Sequence, residues 1–566
     1  MLRNWIRCGA LAGVMGLGGC DLIVQNPNNP DTERALQSAG DIEALIGGYY
    51  LRWHSGMYGS TGNVWLMSLV MSFEDFSSLS NNCLGQRVSI PRAPNDNGVG
   101  NGCGGEQQRV YFFESEVNRV ASNILGRLNV PGFTMGSGAR NARTRAFAEF
   151  LRGVAMGYIA LVHDSAAVVT PGQDGQDPGE LLPYTEVMDS ALAALQRAID
   201  ATNLTFTGDE ARDGFPLPTT WIPGPTTMST AEFIKLIRSY RARLRANVAR
   251  TPAERAAVDW AAVIADAQNG ITGDHFNTTS TTNGPFNSPV NQIYAFTTWH
   301  QMTPFILGMG DGSDGAYAAW IALPLQDRGS TAPFFMVSPD KRLPQGATRA
   351  AQQADFAITG CNTSGSTCKR YFVNRPSGQD VLSGPSWGWS NYDHVRFYPW
   401  KIAGDGGTGQ NGNFPFFTKA ELDLLQAEGL YRTGNFAAAA ALINNTRVGK
   451  GQLPAITAFD GTSLVPGGAD CVPKVPSNAS TAGGATVACG NMFEALKWEK
   501  RVETAYAHFA AWFLDNRGWG DLPEGTPIDW AAPYQDLQSR GRLGQQIYST
   551  GGTGNYHGAA KGTYGW

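Results

Sequence analysis

The chain has 566 residues, of which 42% are hydrophobic and 16% are charged, and its formal net charge at pH 7 is −5. This length allows several domains or one large one, and the composition is that of a globular protein. The acidic balance and the absence of a Lys/Arg block argue against a nucleic acid as partner. Beyond the N-terminus no apolar segment approaches the roughly 20 residues that a membrane-spanning helix needs.

The N-terminus has the pattern of a bacterial export signal that ends at a cysteine. Arg3 and Arg7 precede an uncharged apolar stretch, which closes in Leu17-Gly-Gly-Cys20. The stretch is too short to cross a bilayer and is typical of a signal peptide. Its ending resembles the lipobox of bacterial lipoproteins. We therefore expect a signal peptide over 1–19, acyl chains such as palmitate on Cys20, and a lipidated tether over 20–30. The alternative is ordinary secretion with a chance cysteine.

The cysteines that follow Cys20 form three sequence-local couples in segments rich in Gly, Asn and Ser. These couples are Cys83 with Cys103, Cys361 with Cys368, and Cys471 with Cys489. In an oxidising compartment they favour three loop-closing disulfides, although six cysteines allow fifteen pairings. A metal site is the alternative, but the sequence has no Cys-x-x-Cys motif and no neighbouring His pair.

Helical periodicity dominates the first half of the mature chain. Apolar residues recur at helical spacing in the stretches 42–53, 110–128, 147–161, 185–201, 233–248 and 253–268. Helices of this regularity need partners, and the short connections between several of them predict antiparallel helix pairs.

The sequence changes character from about residue 270 to residue 417. This stretch, the mid-chain module, is rich in Gly, Pro, Asn, Ser and aromatic residues and has little helical period. A structureless loop of such length is rare inside a compact domain. We therefore predict an irregular module of short strands and loops.

Helix returns at Thr418, and 433–435 separates it from a second, Ala-rich helix over Phe436–Arg447. Two helices joined by a tight Gly turn are the unit of tetratricopeptide-type repeats. Apolar spacing then predicts one long helix over 491–516, and a Gly/Tyr-rich tail from Gly544 is expected to be loosely ordered.

Four segments together resemble a known family. They are Cys20–Asp31, Arg143–Tyr158 with His163–Val169, the helix pair Phe417–Arg447, and Trp498–Arg501 with Arg517–Asp521. In these segments the chain resembles the SusD/RagB family of outer-membrane nutrient-binding lipoproteins. The helix pair is the most specific of the four.

The resemblance implies a fold and a function. The fold is mainly α, with four tetratricopeptide-like helix pairs behind a loop-rich ligand-binding face, over 31–566. The function is capture of an oligosaccharide, or in some members a peptide, without catalysis and without a cofactor. The ligand is delivered to a SusC-like TonB-dependent barrel transporter, and the protein is lipid-anchored at the outer membrane, facing the cell exterior.

Aromatic residues in two zones are the candidate ligand-binding residues. Flat rings stack on sugars while amides read hydroxyl groups, and the resemblance places the site in the early segment and the mid-chain loops. The candidates are Trp299, Trp387, Trp389, Tyr294, Trp65, Tyr58 and Asn81. Any single tryptophan can instead fill the core. We expect at least one mid-chain tryptophan to form a stacking surface with Tyr294 or Trp65.

The motifs that point to catalysis or metal binding are weaker. Gly384–Gly388 matches G-x-S-x-G, but no helix pattern follows it. Gly310–Gly315 matches G-x-G-x-x-G, but Asp311 and Asp314 would repel a pyrophosphate; the two could bind Ca²⁺, though not with EF-hand spacing.

Glu74-Asp75 could supply an acid pair as in glycosidases. The alternative function is therefore a surface lipoprotein hydrolase, a glycosidase or peptidase, which would need two carboxylates or a metal in one cleft.

Overall fold

The structure is a computed structural model, and it describes most of the chain after residue 34. The described residues are 35–58, 63–77, 80, 83–173, 177–223, 227–279, 300–312, 315–328, 334–359, 370–375, 387–396, 412–478, 486–542, 548–552, 554 and 557–566. The expected signal peptide and tether over 1–30 lie outside these ranges.

Helices make up most of the described structure, which confirms the mainly α fold. In chain order they are α1 Ala39–Tyr58, α2 Val64–Met71, α3 Leu84–Val88, α4 Gly105–Leu128, α5 Gly138–Val162, α6 Tyr184–Thr202, α7 Thr230–Asn247, α8 Pro252–Ala256, α9 Trp260–Gln268, α10 Pro304–Leu307, α11 Ala316–Ala322, α12 Arg349–Thr359, α13 Lys419–Arg432, α14 Phe436–Arg447, α15 Met492–Thr504, α16 Ala511–Trp519 and α17 Tyr534–Ser539. No helix in the described ranges is both long and apolar enough to cross a lipid bilayer.

The described strands are short and form two-stranded antiparallel pairs. They are β1 Phe76–Ser77, β2 Asn95–Asp96, β3 Ser165–Ala167, β4 Leu181–Pro183, β5 His275–Thr279, β6 His300–Gln301, β7 Phe372–Asn374, β8 Tyr392–His394, β9 Gly412–Phe417, β10 Lys474–Ser477, β11 Thr486–Cys489 and β12 Ser549–Thr550. The pairs are β1 with β6, β2 with β12, β3 with β4, β5 with β9, β7 with β8, and β10 with β11.

The long helices form one continuous array. Helix α1 packs on α4, α4 packs on α5, α5 packs on α6, and α6 packs on α7. The array continues from α7 to α9, α13 and α14, and α15 packs against α13. Successive helix pairs of this kind are the arrangement of tetratricopeptide-like scaffolds, as predicted.

Close helix contacts in the array depend on small residues of α5. At Gly153 a Cβ atom would lie 2.5 Å from the side chain of Leu195 on α6. At Gly157 it would lie 2.6 Å from the side chain of Leu244 on α7. Any larger residue would push the axes apart, so these glycines fix α5 against both neighbours.

The mid-chain module is an insertion between α9 and α13. Its two ends meet in the β5–β9 ladder, which pairs His275 with Phe417 and Thr279 with Gly412. The chain therefore enters and leaves the module through one ladder beside the start of α13. The module's described residues form short strands, as predicted, and also the short helices α10 to α12.

The helix predicted over 253–268 is divided in two. The side chain of Asp259 accepts the backbone N–H of Ala262 and so caps α9. The indole N–H of Trp260 also donates to the carbonyl oxygen of Arg255, at 3.0 Å. These two bonds favour a new helix start at Trp260 over a continuous helix.

The helix predicted over 491–516 is likewise divided, into α15 and α16. Tyr506 and Ala510 have φ values of 57° and 53°, a left-handed conformation that ends a right-handed helix. The backbone N–H of Tyr506 donates to a carboxyl oxygen of Glu74 at 2.6 Å. A side chain distant in sequence thus replaces the intrahelical bond at the break.

The prediction of a loosely ordered tail from Gly544 is wrong for its described part. Tyr564 and Trp566 are 0% and 2% exposed, and β12 pairs with β2. The indole N–H of Trp566 donates to the carbonyl oxygen of Asp521 at 2.8 Å. The aromatic side chains between the glycines bury apolar area, which holds the tail in the core.

Candidate ligand-binding site

The early segment and the mid-chain module meet in a junction formed by 73–77, 300–305 and 387–394. Strand β1 pairs with β6 through Phe76 opposite Gln301, and Ser77 opposite His300. The backbone N–H of Met302 donates to the carbonyl oxygen of Tyr392 at 2.9 Å, which joins β8 to the same junction. The two zones from which a ligand site is expected are therefore adjacent.

An aromatic cluster holds the junction together around Trp387. The ring of Trp387 packs edge to face on Phe76 at 5.0 Å, on Phe305 at 5.3 Å and on Phe73 at 5.9 Å. At the next residue, Gly388, a Cβ atom would lie 2.3 Å from a ring carbon of Phe76. Trp387 is 7% exposed, so most of its ring belongs to the core.

Trp389 lies one residue further along and has an unused donor. Its side chain is 8% exposed, and its buried indole N–H has no hydrogen-bond partner among the described residues. The neighbouring Ser390 hydroxyl donates to the carbonyl oxygen of Met302 at 2.6 Å, and the Tyr392 N–H donates to Ser390 at 3.1 Å. Trp389 is thus held on a fixed backbone, with a buried indole N–H that no described group accepts.

Glu74 and Asp75 are both buried and support the helix break behind the junction. The Tyr506 hydroxyl donates to Asp75 at 2.7 Å, while the Tyr506 N–H donates to Glu74. Burial raises the pKa of Glu74 well above its usual value, and it does the same to the pKa of Tyr506. Both acids are 0% exposed, so these two carboxyls do not form an open catalytic pair.

Tyr58 and Trp65 lie in the hydrophobic core. Each is 1% exposed, and their rings pack edge to face at 5.0 Å. Tyr58 also packs against Phe416 and Phe509, at 5.8 Å and 6.0 Å. The structure corrects the expectation that these two rings face a ligand, because helical spacing places them on the inner face of α1 and α2.

The remaining candidates fall outside the described residues. These are Cys20, Asn81, Tyr294, Trp299, and the couple Cys361 with Cys368. Ser386 of the G-x-S-x-G match also lies outside. Their roles stay predictions, and of the seven candidate ligand residues the structure places two, Trp387 and Trp389, at the junction.

Two of the three expected disulfides are present. Cys83 bonds to Cys103, which links the start of α3 to the start of α4. Cys471 bonds to Cys489, which closes the loop that contains β10 and β11. Pairing by proximity in sequence is confirmed for these two couples.

The described part of the Gly310–Gly315 turn has a structural role. The carboxylate of Asp311 accepts the backbone N–H groups of Tyr317 at 2.9 Å and of Val337 at 3.2 Å. Asp314 lies outside the described residues. Within the described ranges no cluster of three or more His, Cys, Asp or Glu side chains is arranged to hold a metal ion.

A buried charge network that fastens the module to the array was not predicted as such. Helix α15 carries the buried charged residues Lys497, Glu499, Lys500, Arg501 and Glu503. Arg342 of the module donates to Glu499 at 2.6 Å and to Glu503 at 3.0 Å. The sequence feature that indicates this network is the run of charged residues over 497–503, among the apolar residues of the same helix.

No protein-family model and no curated protein matches the sequence of the chain. Solved structures do match in fold. A SusD superfamily protein of Bacteroides vulgatus is 12% identical, with 89% of this chain and 90% of that chain covered and a TM-score of 0.50. A second B. vulgatus protein, named for a proposed sugar-binding role, is 10% identical over 89% and 96% of the chains, with a TM-score of 0.50.

These likenesses extend over nearly the whole described chain. The chain therefore has the fold of SusD superfamily proteins. The fold expected from the four resembling segments is confirmed.

Proposed function

We propose that this protein is a SusD/RagB-type surface lipoprotein that binds an oligosaccharide at the junction. The ligand would then pass to a SusC-like TonB-dependent transporter in the outer membrane, and a peptide is the other ligand class. Cys20 would carry the lipid that holds the protein at the membrane surface.

The observation that carries this proposal is the joining of two distant segments within this fold. The β1–β6 ladder brings residue 76 beside residue 301, and Trp389 follows on the adjoining segment with a buried N–H that no described residue accepts. An aromatic edge with a fixed donor is the combination that a neutral, hydroxyl-rich ligand requires. The segments that flank the ladder contain the other candidates, Asn81, Tyr294 and Trp299.

The burial of the acid pair Glu74 and Asp75 supports a binding function over a hydrolase function. A glycosidase needs two carboxyl groups about 5–10 Å apart around an open site. Glu74 and Asp75, the acid pair noted in the sequence, are instead buried beneath Tyr506. Their carboxyl groups support the fold and are not available to a substrate.

The soluble chain 31–566 tests the proposal directly. It would be titrated with a panel of oligosaccharides and peptides by isothermal calorimetry, and each mixture would be analysed for cleavage products after prolonged incubation. We expect saturable binding of one glycan class with no products. Turnover of any bound ligand would favour the hydrolase, and a panel that binds only peptides would change the ligand class.

A further inference from the structure

A cleft lies on the helical scaffold, and none of its lining residues belongs to the junction. It is a cleft of about 470 Å³ between α5, α6 and the end of α4. Arg145, Glu149 and Arg152 of α5 line it at a spacing of four and then three residues, which places them on one helix face. Ser190 and Arg197 line it from α6, two turns apart.

The lining carries more positive than negative charge. Glu149 is the one carboxylate among the lining residues, and it is shared between Arg152 at 3.1 Å and Arg197 at 2.9 Å. Arg145 donates to the neutral amide oxygen of Asn129 at 3.0 Å. The lining therefore contains three guanidinium groups and one carboxylate, in a chain whose overall charge is −5.

Arg152 is the most deeply buried of the three, at 3% exposed. Its terminal N–H groups donate to Glu149 at 3.1 Å and to the carbonyl oxygen of Val169 at 2.8 Å, while its Nε has no partner among the described residues. Burial lowers the pKa of Arg152, against the opposing effect of Glu149. Because Arg152 and Arg197 share one carboxylate, a further anion in the cleft would offset part of the cost of burying the Arg152 charge.

The cleft is accessible to such an anion. The Arg197 side chain is 49% exposed, so its guanidinium lies at the border between the cleft and solvent. The close contact between Gly153 and Leu195 fixes the position of α5 relative to α6. The positive groups are thus held in place before any ligand arrives.

We propose that this cleft binds an oxyanion group, a carboxylate, sulfate or phosphate, between Arg145, Arg152 and Arg197. Guanidinium forks match the geometry of these groups and form their strongest hydrogen bonds with them. The Ser190 hydroxyl lines the same space and can add a neutral donor. The proposal stands independently of ligand binding at the junction.

Calorimetric titration of the soluble chain with phosphate, sulfate and glucuronate, at constant ionic strength in chloride, tests this site. We expect saturable binding of at least one of them. Tighter binding of glucuronate would mean that the anion is carried by a sugar, and tighter binding of phosphate or sulfate would mean a free inorganic anion. Absence of saturable binding for all three would overturn the proposal.

Two variants and one control locate the binding. Arg197→Gln should weaken it about tenfold, the usual effect of losing one charge-assisted bond. Glu149→Gln should strengthen it, because the competing carboxylate is gone. Arg238→Gln is the control. It removes the α7 partner of an ion pair with Asp266 of α9. The Arg238 side chain is 32% exposed, and its loss should leave binding unchanged.

Circular dichroism would confirm that each variant is folded. Arg197 is half exposed, so its variant should fold even if Glu149→Gln does not. Binding that responds equally to Arg197→Gln and Arg238→Gln would place the anion elsewhere and contradict the proposal.

Discussion

Trp387 and Trp389 stand on the same short segment, yet their surroundings assign them different tasks. Trp387 is enclosed by Phe73, Phe76 and Phe305. Trp389 keeps a buried indole N–H that no described group accepts. Trp387 therefore holds the junction together, and in our proposal Trp389 contacts the ligand there.

Removal of the Trp387 ring should destabilise the fold. Trp387→Ala would leave a cavity between three phenylalanine rings, and such substitutions cost about 3–5 kcal/mol. Phe112→Ala, at a ring that is 37% exposed, is the control and should cost less than about 1 kcal/mol. Urea denaturation measures both. A Trp387→Ala protein as stable as the control would show that the cluster does not hold the junction.

Glu74 should make stability fall as pH rises. Its pKa is raised above the ordinary 4.5, so the folded state holds the proton more tightly than the unfolded state. Stability is complete below about 4.5 and is lost as pH rises toward the folded value, by up to about 1.4 kcal/mol per pH unit. Glu74→Gln keeps the acceptor for the Tyr506 N–H but cannot ionise.

The measurement is thermal or urea unfolding of both proteins from pH 4 to pH 9. The stability of Glu74→Gln relative to the parent should increase as pH rises. Glu186→Gln, at an exposed position of α6, is the control, and its stability should follow that of the parent at every pH. Parallel curves for Glu74→Gln and the parent would show that folding does not raise the pKa of Glu74.

At the scale of elements, the sequence predicted helices that depend on local apolar spacing. It did not predict helix breaks that depend on residues distant in the chain. The pair α13 and α14 follows from apolar spacing and the 433–435 break, and the structure has it with those bounds. The break between α15 and α16 depends on Glu74, which captures the N–H of Tyr506 from 432 residues earlier in the chain. Periodicity within a window cannot reveal a partner at that distance.

The pairing of the two observed disulfides was predicted from the closeness of their cysteines in sequence. Loss of either observed bond, as Cys83→Ala with Cys103→Ala or as Cys471→Ala with Cys489→Ala, should cost about 3 kcal/mol. The loops that these bonds close span 20 and 18 residues, so both losses should be similar. Denaturation of each double variant against the parent measures them, and a loss below about 1 kcal/mol for both would contradict this estimate.

Peptide mapping without reduction extends the same test to the undescribed couple. We expect Cys361 and Cys368 to appear as a third local disulfide beside the two observed ones. A cross-link between different couples, or free thiols at Cys361 and Cys368 in exported protein, would show that proximity fails there.

At the scale of the whole molecule, the sequence predicted the fold but only part of the site. The resemblance led to the correct architecture, because the segments 143–158, 419–447 and 498–501 lie in helices that pack along the array. Tyr58 and Trp65 were misplaced, since an aromatic residue on a helical stripe looks the same whether it meets a ligand or the core. The position of Trp389 beside the β1–β6 ladder, and the buried N–H that no described group accepts, are visible only in three dimensions.

Attachment to the membrane depends on one residue in our proposal. Cys20→Ser should abolish labelling by radioactive palmitate and release the protein from the membrane fraction, because no acyl chain can then be attached. Cys8→Ser, which lies inside the expected signal peptide, is the control and should keep both. A Cys20→Ser protein that is still labelled and still sediments with membranes would exclude this anchor.

Binding at the junction is the central claim, and a matched pair of tryptophan variants tests it most directly. Trp389→Phe and Trp65→Phe each keep an aromatic ring and remove a buried indole N–H that no residue in the described ranges accepts. Trp65 lies in the core at 1% exposure, so its variant controls for the change in packing.

The affinity of the soluble chain 31–566 for its best oligosaccharide, measured by calorimetry, decides between the two positions. We expect Trp389→Phe to weaken binding about three- to tenfold, the value of one neutral hydrogen bond, and Trp65→Phe to leave it unchanged. Equal affinities for the parent and Trp389→Phe, or a loss confined to Trp65→Phe, would contradict a ligand site at the junction.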